Sequence, residues 1–267
     1  MSLIIKQYSK LTTQPINWIL FALSLALVLY TLYLIFLYVP TDANLGISQR
    51  IFYIHVPIAW LGMISIIVVA VASALYLWTK NNKWDDLAYS TAEYGMIFAT
   101  LIIVTGAIWA KPVWGVWWTW DSKLTTTLIL WFIYASYLIL RAYGPTGIQQ
   151  ARYAALIALI GAIDAPIIYL ATEWWRTAHP SYVIGPLEES GGLDTQMRTA
   201  FLVSIITFTV FYAFLLSNRY KIRRSETELD ELHQEVSAIE RPPMLSEISS
   251  FTSKKTLKAI QPVCTEF

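Results

Sequence analysis

Four of the chain's 12 tryptophans fall within seven residues, in Trp114-Gly115-Val116-Trp117-Trp118-Thr119-Trp120-Asp121. Trp114, Trp117, Trp118 and Asp121 follow i, i+3, i+4, i+7 spacing, so in a helix they line one face. A face of indole rings suits a large planar aromatic ligand, because such rings stack in offset pairs. A porphyrin is a ligand of that kind. The simpler alternative is an aromatic belt at a membrane–water boundary, where Trp is enriched. Asp121 has two readings. It orients a hydrogen-bond donor, or it caps a helix that begins near Ser122.

The chain has three histidines. His233 lies in a polar C-terminal tail. His55, in Tyr53-Ile54-His55-Val56-Pro57, opens an apolar run, and Pro57 suits the first turn of the helix that follows. His179 lies in Trp174-Trp175-Arg176-Thr177-Ala178-His179-Pro180. Taken singly, each is an ordinary boundary histidine. Taken together they flank the Trp segment. Imidazole is a common axial ligand of heme iron, and two fill both axial positions. Zinc is the competing metal. It requires more ligands, for which Glu188, Glu189 and Asp194 are available, but no H-E-x-x-H spacing supports it. The single cysteine, Cys264, excludes a C-x-x-C redox motif and covalent c-type heme attachment to this chain. No phosphate-binding G-x-x-x-x-G-K-[ST] is present.

What must position these residues is a membrane bundle. Of 267 residues, 56% are hydrophobic and 14% charged, against about 25% charged in an average soluble domain. A net charge of +1 excludes a nucleic-acid binder. Six apolar runs approach the roughly 20 residues that a spanning helix needs: 18–39, 56–78, 90–109, 124–140, 153–170 and 199–217. Backbone groups in lipid must be satisfied internally, and these runs do not alternate as barrel strands do. The predicted fold is an all-α integral membrane protein of six transmembrane helices with an outward-facing Trp-rich loop. With the N-terminus cytoplasmic, ten Lys and Arg lie inside and five outside, namely Arg50, Lys111, Lys123, Arg176 and Arg198. That bias places both termini in the cytoplasm. Segments 40–55, 110–123 and 171–198 then face outward and hold the Trp run and both flanking histidines. Residues 1–218 form the membrane domain, and 219–267 a polar tail. That tail reads as a short charged helix over 225–240 and a disordered remainder. It is either dispensable or a docking site for a cytosolic partner. Asp164, inside the fifth run, is a functional candidate by its depth or a partner for backbone freed by Pro166.

The sequence resembles the heme exporter protein C (CcmC) family of cytochrome c maturation, within the wider group of heme-handling proteins that share a Trp-Trp-Asp motif. The resemblance covers roughly residues 45–200. Trp114 to Thr125 is similar to the family's W-G-x-W-W-x-W-D-x-R-L-T, and Tyr53 to Pro57 to its Y-L-H-V-P. Gly106, Trp109, Lys111 and Pro112 match the approach to the signature. Pro166-Ile167-Ile168 and Glu173-Trp174-Trp175 match the run before a second axial histidine, a place His179 takes. Lys123 departs from the usual Arg and lacks its bidentate fork. Pro180 stands where Gln is common, and Tyr169 where some relatives have His. The resemblance implies non-covalent heme b on the outer face, held by axial His55 and His179 over Trp114, Trp117, Trp118, Trp120 and Asp121. Arg50, Lys123 and Arg176 are the candidate partners for its propionates, by charge. It also implies delivery of heme to the periplasmic chaperone CcmE, and assembly with the ATP-binding cassette subunits CcmA and CcmB and the small membrane subunit CcmD. The location implied is a bacterial inner membrane, or alternatively a mitochondrial one. The chain then reads as a heme-presenting platform more than as a turnover enzyme. Two rivals are a transporter of heme or another solute, which needs a polar midplane path, and a cytochrome c heme synthetase, whose members are longer or carry extra outer domains.

Overall fold

A computed structural model describes residues 15–145, 147–175, 177, 179 and 193–240. Six helices carry the fold: α1 (Pro15–Tyr33), α2 (Phe52–Thr79), α3 (Asn82–Trp114), α4 (Ser122–Tyr143), α5 (Ile148–Trp174) and α6 (Thr195–Glu240). All six contain a stretch long and apolar enough to cross a membrane, with mean hydropathy from 1.5 to 2.5. The protein is a multi-pass membrane protein.

α2 to α6 each run past the apolar segment that marks them in the sequence, whereas α1 ends at Tyr33 and passes into a π-helical turn over Leu34–Tyr38. Apolar residues mark only the length inside hydrocarbon, whereas helix ends are set by capping. α3 shows this best. Its apolar run covers 90–109, but Asn81 caps it nine residues earlier, its Oδ1 accepting from Lys83 N at 3.0 Å. At the other end Gly115, at φ 76°, turns the chain left-handed after Trp114. A 33-residue helix is about 50 Å long, more than the roughly 30 Å hydrocarbon core. α2 begins earlier than its apolar run. Gly46, at φ 58°, leads into a 3-10 turn over Ile47–Ile51 that passes directly into the helix. Pro57 is therefore interior and not in the first turn, and His55 is the helix's fourth residue. The helical part of the tail is no separate helix either, since α6 continues unbroken to Glu240. Residues 241–267 lie outside the described residues.

Lipid tails are as apolar as leucine, so helices in a membrane associate through close packing and hydrogen bonds. Both devices are present. α3 presents buried Ala88, Ala92 and Ala99, and α5 presents Ala154, Ala158 and Ala165. Gly161 of α5 takes the Ile133 side chain of α4, and a Cβ there would lie 2.6 Å from Ile133 Cγ2. α2 packs on α3 and α5, and α4 packs on the same two helices. α6 is tied in by polar contacts. Thr207 pairs with Thr31 of α1 at 2.7 Å, and Tyr212 with Ser65 of α2 at 2.9 Å.

The end of the bundle at the N-terminus of α3 carries paired charges. Arg141 meets Asp85 at 2.9 Å, and Arg219 meets Glu93 at 2.6 Å. Buried Asp86 faces Arg224 at 3.2 Å and Arg223 at 3.6 Å. Glu93, near the start of the third apolar run, is thus part of an ion pair. The Tyr89 ring lies among the guanidinium groups of Arg141, Arg219 and Arg223, at 5.0, 5.7 and 4.6 Å.

Candidate heme site

The opposite end, at the C-terminus of α3, opens into a cavity with about 990 Å³ of atom-free space, its open mouth included. Both candidate axial residues, His55 and His179, line it. Trp114, Trp118 and Lys123 line it as well, with apolar residues such as Met63, Ile102, Leu124 and Ile168. Residues from four helices, the Trp segment and the connection after α5 thus converge on one space.

His55 is buried, at 7% exposure. Its Nδ1 lies 2.8 Å from Thr105 Oγ1 of α3. The ring tilts 58° against Trp109, with centroids 5.9 Å apart. His179 is half-buried, and its backbone N–H donates to Thr177 Oγ1 at 3.1 Å. Arg176 lies outside the described residues. Among the described residues no group of three or more His, Cys, Asp or Glu is placed to hold a metal ion, and the zinc candidates Glu188 and Glu189 lie outside them.

The Trp segment is not a helix. Gly115 ends α3, and residues 116–121 form bends and irregular chain before α4. The helical spacing therefore does not put Trp114, Trp117, Trp118 and Asp121 on one face. Instead the rings divide. Trp114 and Trp118 turn into the cavity. Trp117 and Trp120 face out, at 58% and 76% exposure. Trp118 and Trp120 still meet edge to face at 5.7 Å. Lys111 holds the turn by donating to Gly115 O at 2.8 Å, with its Nζ 5.9 Å from the Trp117 ring. Asp121 is the N-cap of α4. Its Oδ1 accepts from Leu124 N at 2.9 Å, and its Oδ2 accepts from the Thr119 hydroxyl at 3.2 Å.

Of the candidate cations, Lys123 lines the cavity. Arg50 does not, and its guanidinium lies 5.8 Å from the Phe36 ring of the π-helical turn that follows α1. Sequence reasoning missed Trp109 as a site residue. It lines the cavity, and its indole nitrogen, like that of Trp118, is buried without a hydrogen-bond partner among the described residues. Buried donors without partners are uncommon, and here two lie on residues around one cavity. A ligand in the cavity would meet the rest of its lining instead, because both nitrogens are buried. A broad apolar space, two imidazoles and a lysine suit a planar, metal-bearing, anionic one. A porphyrin with an iron and two carboxylates has that chemistry. Asp164 stands one helical turn before Ile168, buried, with Oδ2 lacking a partner among the described residues.

The family model described as heme exporter protein C (CcmC) matches residues 5–235. A heme exporter protein C of Haemophilus influenzae is 35% identical over 69% of this chain and 75% of its own length. One from Escherichia coli K12 is 33% identical over 69% of this chain and 74% of its own. A ccmC-like mitochondrial protein of cytochrome c biosynthesis from Marchantia polymorpha is 34% identical over 66% of this chain and 71% of its own.

Proposed function

The chain belongs to the heme exporter protein C family, with a role in heme handling for cytochrome c maturation, and from that premise we propose how it binds and passes on its cargo. Heme b occupies the cavity non-covalently, with its iron between His55 and His179. Trp114 and Trp118 pack against the porphyrin. The Lys123 ammonium meets a propionate. The observation that carries this reading is that both flanking histidines and two rings of the Trp run line one cavity.

Each group has a physical task. The apolar walls shed water and bury the macrocycle at about 25 cal/mol per Å². Imidazole binds iron reversibly, which suits cargo that must leave. Lys123 is a single charged donor without Arg's planar fork, so it holds a propionate by charge more than by geometry. Exposed Trp117 and Trp120 stand outside the cavity, where the chaperone CcmE would meet the heme edge. CcmA, CcmB and CcmD complete the assembly, and ATP is used elsewhere than on this chain. The proposed location is a bacterial inner membrane, with the charged end of the bundle in the cytoplasm and the cavity facing outward.

Heme titration of the detergent-purified chain tests this. His55→Ala and His179→Ala should each weaken binding at least tenfold while Tyr143→Ala, on the exposed far end of α4, leaves it unchanged. Binding unaffected by either histidine change would refute the axial pair.

A further inference from the structure

His55 is held by a neighbouring helix. Its Nδ1 lies 2.8 Å from Thr105 Oγ1, and the Thr105 hydroxyl donates to Leu101 O at 2.6 Å. A threonine has one O–H to give, and back-bonding to the carbonyl four residues earlier is its usual use inside a helix. With that proton committed, Oγ1 faces the imidazole as an acceptor. The proton of a neutral His55 ring is then on Nδ1, and Nε2 carries the lone pair. Two further residues hold the ring. A Cβ on Gly106 would stand 3.1 Å from His55 Cε1, so the imidazole rests against bare backbone there. Trp109, one turn on from Thr105, meets it at 5.9 Å. Gly106 and Trp109 line the same cavity as His55.

We propose that Thr105 is a positioning residue that selects Nε2 of His55 as the iron-binding nitrogen and keeps it ready before heme arrives. A histidine that binds a metal generally donates its other ring N–H to an acceptor, which fixes the tautomer and raises ligand basicity. Here the acceptor is a hydroxyl anchored to a main-chain carbonyl. The chain from Leu101 O through Thr105 to His55 polarises along its length. Thr105 is not among the residues that line the cavity and acts through His55. The inference rests on the reading of His55 as a heme ligand, but its first test needs no heme.

Nitrogen-15 spectra of the heme-free, histidine-labelled chain report the tautomer directly. The wild type should show His55 protonated at Nδ1. Thr105→Val, which keeps the shape and removes the acceptor, should shift His55 toward the Nε2–H form. Thr105→Ser should keep the wild-type tautomer. In heme titrations, Thr105→Val should lose about 10–100-fold in affinity and change the reduction potential, and Thr105→Ser should restore both. A wild-type His55 protonated at Nε2 would overturn the inference. Wild-type heme affinity and potential in Thr105→Val would overturn it too, and if His55→Ala still abolished binding, the ligand reading would stand without it. Wild-type binding in His55→Ala would remove both.

Discussion

Asp121 performs two tasks with two oxygens. Oδ1 caps α4 at Leu124 N, and Oδ2 takes the Thr119 hydroxyl. It thereby fixes where the Trp segment joins the next helix. Replacing it with Ala should cost about 1 kcal/mol of stability and loosen the seat of Trp118. Asp121→Asn should retain most of the cap. Thermal unfolding in detergent checks the order wild type, Asn, Ala. At this scale the sequence reveals residue types well. His55, His179, Trp114, Trp118 and Lys123 stand out by kind and spacing, and all five line the cavity. Arg50 is as plausible by charge, but its place beside Phe36 depends on how α1 packs. Thr105 and Gly106 are common residues inside a helix. Their meaning comes from an imidazole fifty positions away, which no local pattern encodes.

The break between α3 and α4 sets the cavity's outer wall. Had α3 continued, the Trp rings would have formed one stripe. Gly115 prevents this by taking a left-handed conformation that residues with a Cβ enter at a cost of about 1–2 kcal/mol. Gly115→Ala should therefore destabilise the chain by about that amount. It should also weaken heme binding, because Trp114 and Trp118 are placed from either side of the turn. Unfolding and heme titration together check it, and stability loss with unchanged heme affinity would contradict the wall's role. Period-3.6 spacing misleads here because four indoles give a strong pattern while one glycine gives a weak stop. The spans are legible because a run of about 20 apolar residues matches the hydrocarbon thickness and suits little else. Their true lengths are not, because caps such as Asn81 and turns such as Ile47–Ile51 add helix outside the apolar runs.

The whole molecule keeps charge and cargo chemistry at opposite ends of α3. One end holds Asp85, Asp86 and Glu93 with their arginines, and the other holds the cavity. Asp86 is 1% exposed and faces two guanidinium groups. Removing one partner of a buried pair leaves charge uncompensated, at about 3–5 kcal/mol. Asp86→Ala should lower stability by nearly that much and leave heme affinity unchanged, since the nearest cavity residue of α3, Ile102, lies about 24 Å along the helix. An equal loss in both would show that the two ends are coupled.

The central claim is that His55 and His179 together ligate heme iron in this cavity. The most direct measurement is the spin state of the heme-loaded chain, by optical and electron paramagnetic resonance spectra, for wild type, His55→Ala and His179→Ala, with and without added imidazole. The account predicts low-spin bis-imidazole heme in the wild type, loss of that signature in each variant, and its return with imidazole. A wild-type low-spin signal that survives in either variant without imidazole would contradict it.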